Sequence, residues 1–514
     1  MKKRLFQATV ILSVIVLVGC LASSVVSIFS TTSNPSTDYL ALINGPILAA
    51  PYESKGWTIY RDLFAKYGRE TPEWDSSLVF MPDENGNRIG RFVGPDDGEA
   101  WQEAIDMLAA ADDLMEGLRV GGVRPAFGLP LHADLRKYDR VDLQALYPGR
   151  NYRDLLDENR QQQALWEQFP LLHAVPINVA SIGRIRWACQ LLNVDTRWAM
   201  EQVDTERITR NIEAVLGMSK QVTEIPFRSA SLSAFFLQAI GFDMIDGAVH
   251  SQIEFSNTQL DRIHASVRRS AVPNLMGYSA EKALFLEIVQ GTYTDDGNGN
   301  GRLLVNEIDE WNDLYVLLTA PTRRPLTDKA NELFEQIDAV TKNLASDQPS
   351  VTMLEIESIV DQSQGFSMLH DHLAAERTIG QVIVRAKANA NGVDVALAVL
   401  RFQRKNGRFP DGLDELVGEF MTRIPDDPFD GRPLRYGRRD EGFLIYSVGV
   451  NGSDDGGQNV LVRADGSVVT DPTAEVPGEE RFKMHPYGYN LSKQKPGDWV
   501  LWPRYVLELE RAGK

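Results

Sequence analysis

The chain is poor in the residues that most directly announce chemistry. Of 514 residues only two are cysteine, Cys20 and Cys189, and seven are histidine. Two cysteines in unlike segments exclude a disulfide framework. Cys189, in "IRWACQLLN", has apolar neighbours at helical spacing and reads as a small buried side chain, not a nucleophile. No nucleophile elbow, phosphate loop, dinucleotide fingerprint or H-E-x-x-H pattern occurs, so an enzymatic reading has no motif behind it. The one close histidine pair, His370 and His372 in "SMLHDHLAAER", has a helical context, where residues two apart face different directions and do not share a metal. Acidic pairs such as Asp112-Asp113 and Asp426-Asp427 read as solvated turn or helix-face features. Two carboxylates brought together only in space, as a glycosidase needs, stay open as an alternative.

Positive charge is also scarce. With 53 Lys and Arg against 71 Asp and Glu, the formal charge is −18 and the pI near 5.0. A nucleic-acid partner, which demands a basic face, is excluded, and cations are the better electrostatic partners. The 43% hydrophobic and 24% charged content is ordinary for a globular protein, and the length implies more than one domain or one large helical array.

Charge is missing altogether from Leu5 to Thr37, immediately after Lys2, Lys3 and Arg4. The apolar heart of that run, "ATVILSVIVLVGCLASSVVSIFS", is long enough for a helix to cross a hydrocarbon core of about 30 Å, with the basic cluster on the cytoplasmic side. Residues 1–33 therefore read as an N-terminal transmembrane segment of a bacterial cell-envelope protein with an extracytoplasmic body. The stretch Leu17-Val18-Gly19-Cys20 leaves a second route open, because it resembles a bacterial lipobox and Cys20 would then carry a lipid anchor. Run length favours the uncleaved span, and both routes lead to the same compartment.

Residues 34–98 form a tether and irregular entry segment, with turn formers in "STTSNPSTD" and "MPDENGNRIGRFVGPDDGE" and one helix between them. From Glu99 to residue 375 the pattern is helical. Trp101, Ala104, Ile105, Leu108 and Ala109 share one face; in "DTERITRNIEAVLGMSKQV", Asp204 can cap a helix whose stripe is Ile208, Ile212, Val215, Leu216 and Val222. Further helices are expected at Ala180–Leu192, Ser231–Ile245, Ala280–Gln290, Glu307–Leu318, Lys329–Leu344 and Met353–Val360, separated by turn clusters such as "NVDT" and "VPNLMG". No fixed repeat period is present, and a stack of helical hairpins is expected.

A new unit begins near Glu376. A long helix, open to interruption at Asn391-Gly392, ends where Gly407 can turn left-handed and Pro410 forbids continuation. Strands are then expected at Leu434–Tyr436, Phe443–Ser447, Val460–Arg463, Ser467–Thr470 and Trp499–Trp502. The fold class is accordingly mainly α, with a membrane anchor, a large helical-hairpin domain and a smaller C-terminal α+β domain (376–514) holding a short antiparallel sheet.

Two loops concentrate acids, amides and glycines. "DGNGNGRLLVNE" matches the EF-hand-like template D-x-[DN]-x-[DN]-G-x5-E over residues 296–307. Asp296, Asn298 and Asn300 offer side-chain oxygens, Arg302 its backbone carbonyl and Glu307 a carboxylate able to bind Ca²⁺ through both oxygens, with Gly301 at the sharp turn. Apolar faces before it (Leu284, Phe285, Ile288, Val289) and after it (Ile308, Trp311, Leu314, Tyr315) complete a helix-loop-helix pattern. Only two carboxylates are direct ligands, so weak affinity is expected, with a Kd of about 10⁻⁴–10⁻³ M, in a structural clamp and not a sensor. The plainer alternative is a solvated Asn-Gly turn.

The second loop lies in "YSVGVNGSDDGG". A helix ending near "NGRFP", a "GLDEL" helix, a "DPFDGRPLRY" turn, then "FLIYSVGVNGSDDGG" and a closing "DWVLW" resemble, over the last quarter of the chain, the globular domain of the major pseudopilin, protein G of type II secretion systems. That resemblance implies calcium in the loop after the "YSVG" strand, with Asp454, Asp455 and Asp498 as carboxylate ligands and backbone oxygens around Val450 and Ser453. Adjacent aspartates repel when ionised, and a hard divalent cation reverses that cost. Two departures stand. About forty residues, Gln458 to Gly497, separate the glycine pair from "DWVLW", and the N-terminus lacks the pilin processing signature, which argues against polymerisation. The rest of the chain loosely resembles large, uncharacterised membrane-anchored helical bacterial proteins.

The expected function is thus a non-enzymatic, membrane-anchored scaffold with an envelope-protein partner and calcium-stabilised loops. An envelope hydrolase with an unrecognised site and an accessory component of a type II secretion or pilus-like assembly are the alternatives.

Overall fold

The computed structural model describes residues 38–67, 93–132, 134–168, 180–225, 227–270, 277–295, 298–303, 320–344, 349–374, 376–439, 442–449, 452–457, 461–462, 468–469 and 498–503. The N-terminal segment, the helix expected at Glu307–Leu318 and most of "VPNLMG" lie outside them.

Helices dominate, as the spacing of apolar residues predicts. They run α1 (Tyr39–Ala49), α2 (Trp57–Tyr67), α3 (Glu99–Ala110), α4 (Asp112–Gly122), α5 (Arg140–Leu146), α6 (Tyr152–Gln168), α7 (Ala180–Glu201), α8 (Thr205–Val222), α9 (Arg228–His250), α10 (Asn257–Ser270), α11 (Gly277–Thr292), α12 (Arg323–Leu344), α13 (Pro349–Asp361), α14 (Ser367–Ala374) and α15 (Glu376–Asn406). Helix α8 shows how sequence becomes structure. Asp204 accepts a hydrogen bond from the Arg207 amide at 3.0 Å and caps it. Ile208, Ile212, Val215, Leu216 and Val222 are all buried, each worth about 1.5–3 kcal/mol of burial. In α3, Trp101, Ala104 and Leu108 face the core as expected, whereas Ala109 is exposed at the edge of the stripe. Helix α9 is apolar enough over Ser229–His250 to cross a membrane, but two thirds of its apolar window is buried in this core.

Two expectations fail instructively. "NVDT" is not a turn but the middle of α7, with Asn193, Val194, Asp195 and Thr196 all buried. The helix continues because the Asp195 carboxylate is taken up by tertiary partners: Arg119 Nη2 and Asn211 Nδ2 donate to it at 2.7 Å, and Arg207 grips both oxygens. With its side chain so engaged, the aspartate cannot compete for the local backbone. Helix α15 likewise runs unbroken through Asn391-Gly392. A Cβ at Gly392 would lie 2.4 Å from the Leu501 Cβ, so this glycine marks close packing against the sheet and not a break. At the end of α15, Gly407 has φ +66°, the left-handed stop read from the sequence.

After α15 come the strands β1 (Arg435–Arg439), β2 (Gly442–Ser447), β3 (Leu461–Val462), β4 (Val468–Val469) and β5 (Trp499–Trp502). They form an antiparallel sheet ordered β1-β2-β5 and a separate β3-β4 pair. Register places Tyr446 opposite Val500 and Ser447 opposite Trp499. The largest apolar core spans α1 to β5 and so crosses residue 376, joining Ile263 and Val267 of α10 to Val393, Leu397 and Trp502. A second core gathers α11 to α14 around Phe285, Leu333, Phe334, Ile356 and Leu369.

Candidate functional site

The C-terminal loop is built from the end of β2 outward. Asp427, read from sequence as part of a solvated acidic pair, is in fact fully buried. Its Oδ1 accepts from the Ser447 hydroxyl at 2.8 Å and the Phe429 amide at 3.0 Å; its Oδ2 accepts from the Val448 amide at 2.8 Å and Arg435 Nη1 at 3.0 Å. Four donors explain how a carboxylate tolerates burial, although burial still raises its pKa above the ordinary value. Asp427 thereby fastens the "DPFDG" turn to the point where β2 becomes the loop. The signal was in the sequence, since Asp427 opens that turn, but a DD pair alone carries no sign of burial.

Beyond this fastening the loop swings back toward β5. Asp498, one residue before β5, is fully buried. Its Oδ2 accepts from the Gly457 amide at 2.7 Å and the Asp455 amide at 3.0 Å. Its Oδ1 is shielded from water and has no hydrogen-bond partner. Asp454 is exposed; its Oδ1 accepts from the Tyr446 hydroxyl and the Gly456 amide, both at 3.1 Å. Burial raises the Asp498 pKa, the two amides oppose it, and the charges of Asp454 and Asp455 raise it further. Of the three carboxylates expected here, the structure brings Asp498 and the Asp455 backbone into contact across the forty-residue separation, while the side chain of Asp454 turns to Tyr446.

The "DGNGNG" loop is built differently. Asp296 and Glu307 lie outside the described residues. Asn298 is exposed and Asn300 half-buried. The described oxygens face protein groups: Asp295 accepts from the Gly299 amide at 3.2 Å and pairs with Arg323 at 2.8 Å, the Arg302 carbonyl accepts from the Thr294 amide at 3.0 Å, and the Gly301 carbonyl accepts from the Arg323 amide at 2.9 Å. Asp295, which the template passes over, joins the Gly301 carbonyl in tying this loop to Arg323 at the start of α12. A Cβ at Gly301 would fall 1.7 Å from the Thr294 carbonyl oxygen, which is the steric reason for glycine at the sharp turn.

Other titratable groups pair locally. On α14, His370 Nδ1 lies 2.9 Å from the Ser363 hydroxyl, while His372 packs on the Phe285 and Phe334 rings, so the two face apart as their spacing predicts. The Ser363 hydroxyl donates to the Val360 carbonyl at 2.5 Å, so this contact stays within the α13–α14 turn. Cys189 is buried and its thiol pKa is pushed far up by burial, the opposite of a reactive thiolate. A cavity of about 570 Å³ is lined by Asp112, Arg119, Trp198, Arg207 and Arg210, but its inner arginines are consumed by Asp195 and Glu116. Among the described residues no group of three or more His, Cys, Asp or Glu side chains is arranged to hold a metal. No protein-family model, curated protein or solved structure matches the chain.

Proposed function

We propose that this chain is a membrane-anchored extracytoplasmic scaffold of the bacterial envelope, with a pseudopilin-like C-terminal unit braced by calcium at Asp498. The observation that carries the calcium reading is the lone Asp498 Oδ1, a buried carboxylate oxygen that meets neither water nor a donor. Such an atom is costly unless a cation faces it. The residues fit the ion. Calcium takes six to eight oxygens at about 2.3–2.6 Å, and a carboxylate beside a glycine-rich turn whose carbonyls can point inward is the donor set it prefers. Bound there, calcium would neutralise Asp498 and the neighbouring Asp454 and Asp455 charges.

The anchor reading rests on the uncharged run Leu5–Thr37. It is supported by the exposure of Leu48 in the last turn of α1 and of Tyr52 just after it, at 60% and 71%, α1 being the first described helix beyond that run. A scaffold is favoured over a hydrolase because the polar groups of the helical cleft are committed to one another, with Asp195 fully engaged by Arg119, Arg207 and Asn211. An envelope protein is the partner this reading requires.

The test is calorimetric melting of the full chain in calcium and in chelator, for wild type and for Asp296→Ala, Asp454→Ala and Asp498→Asn. Calcium is expected to raise the wild-type Tm by roughly 2–4 °C, an effect lost in Asp498→Asn. A wild-type melt indifferent to calcium rejects the ion at both loops.

A further inference from the structure

The first turns of α7 hold an unmatched cation. Among the described residues, three arginines turned into the protein face carboxylates: Arg119 meets Asp195, Arg323 meets Asp295, and Arg435 meets Asp427 and Asp430. Arg184 does not. Its Nε and Nη2 are shielded from water and have no hydrogen-bond partner, in a chain with 71 acidic residues. Its guanidinium carbon instead lies 4.6 Å from the Trp187 ring centroid and 5.1 Å from that of Phe64 on α2. These rings pack edge-on at 5.9 Å and fix the plane of the guanidinium.

Three residues earlier, on the same face of the helix, stands a second orphan. Ser181 is fully buried, and its hydroxyl is also without a partner. Both groups sit at the positive end of a 22-residue helix, where side chains lean back toward the N-terminus and a cation is disfavoured by the peptide dipoles. Burial alone pulls the Arg184 pKa down to about 10. Desolvation, dipole and absent counter-charge all oppose a guanidinium here, and an anion reverses all three.

We propose that the N-terminal turns of α7 form a site for a small oxyanion, held by Arg184 and Ser181. Nε and Nη2 are the two nitrogens on one edge of the guanidinium, and their parallel N–H bonds match the spacing of two oxygens of a carboxylate or phosphate. The Ser181 hydroxyl supplies a further donor, and the Trp187 and Phe64 rings hold the fork in position. The ligand class is an oxyanion presented as a free ion or as the acidic group of a larger molecule.

The test is thermal melting of the full chain in detergent with chelator present, titrated with inorganic phosphate or acetate against chloride at equal ionic strength. A saturable rise in Tm of roughly 2–4 °C is expected in phosphate, acetate or both, absent from Arg184→Met and reduced in Ser181→Ala. A response to phosphate alone assigns a phosphate group, and a response to acetate alone a carboxylate. Equal melting in all three salts, with Arg184→Met melting above wild type, overturns the site, because the arginine is then simply an unpaired charge. A shift that survives in both variants also overturns it. If Arg184→Met does not fold, Ser181→Ala decides.

Discussion

The two oxygen-rich loops look alike in composition and differ in what their described oxygens do. In the loop after α11, Asp295 is spent on Arg323 and the Gly299 amide, and the Arg302 carbonyl on Thr294. In the loop after β2, the Asp498 carboxylate uses one oxygen on two amides and keeps the other buried and unmatched. Acids, amides and glycines are what any tight solvated turn also needs. What separates a ligand site from a turn is an oxygen left over after the protein's own donors have been assigned.

The sharpest way to break this contrast is to remove one carboxylate from each loop. Asp498→Ala deletes the acceptor of the Gly457 and Asp455 amides and, in calcium, the proposed ion; a loss of about 3–5 kcal/mol is expected, falling in chelator. Asp295→Ala leaves Arg323 without this partner in a partly solvated setting and should cost about 2 kcal/mol, the same in calcium and chelator. Urea unfolding midpoints in both buffers check the pair. A calcium-sensitive Asp295→Ala penalty would erase the distinction.

A second comparison uses the glycines. Gly301→Ala drives a methyl group to within 1.7 Å of the Thr294 carbonyl oxygen, so the backbone must move, at a cost of about 2–3 kcal/mol. Gly456 has φ +72° but open space around its Cβ, so Gly456→Ala carries only the left-handed strain, about 1 kcal/mol. The same unfolding measurement ranks them, and a reversed order would mean that the α11 loop is the softer of the two.

How much of this was legible beforehand follows from what the residues can show locally. Helix caps and stripes were, because Asp204 and the Ile208–Val222 pattern act within one element. The strand pairs were, because alternation and the flanking turns are local too. Asp195 and Asp427 were misread, since each belongs in a turn by propensity and is claimed by partners distant in sequence, Arg119 for one and Ser447 for the other. Asp498 was reached only through a family resemblance in the order of motifs. Its unmatched oxygen is a three-dimensional fact, and so are the unmatched nitrogens of Arg184.

The smallest expected effect is a pH profile, and its sign distinguishes an empty brace from a filled one. Burial raises the Asp498 pKa above its ordinary 3.8, so between those values the folded chain holds a proton that the unfolded chain has released. Stability from this group is therefore fully present below the ordinary value and drains away as pH rises through the raised one. Asp427 is raised for the same reason, so the wild type alone cannot assign the slope. Asp498→Asn fixes the neutral form and serves as the reference. In chelator, wild type should lose stability relative to Asp498→Asn as pH rises from about 4 toward neutrality. In calcium the ionised carboxylate is the bound form, so the relative slope should flatten or reverse. Parallel profiles in chelator would show that the Asp498 oxygen is not sealed from water, and the contrast between the two loops would go with it.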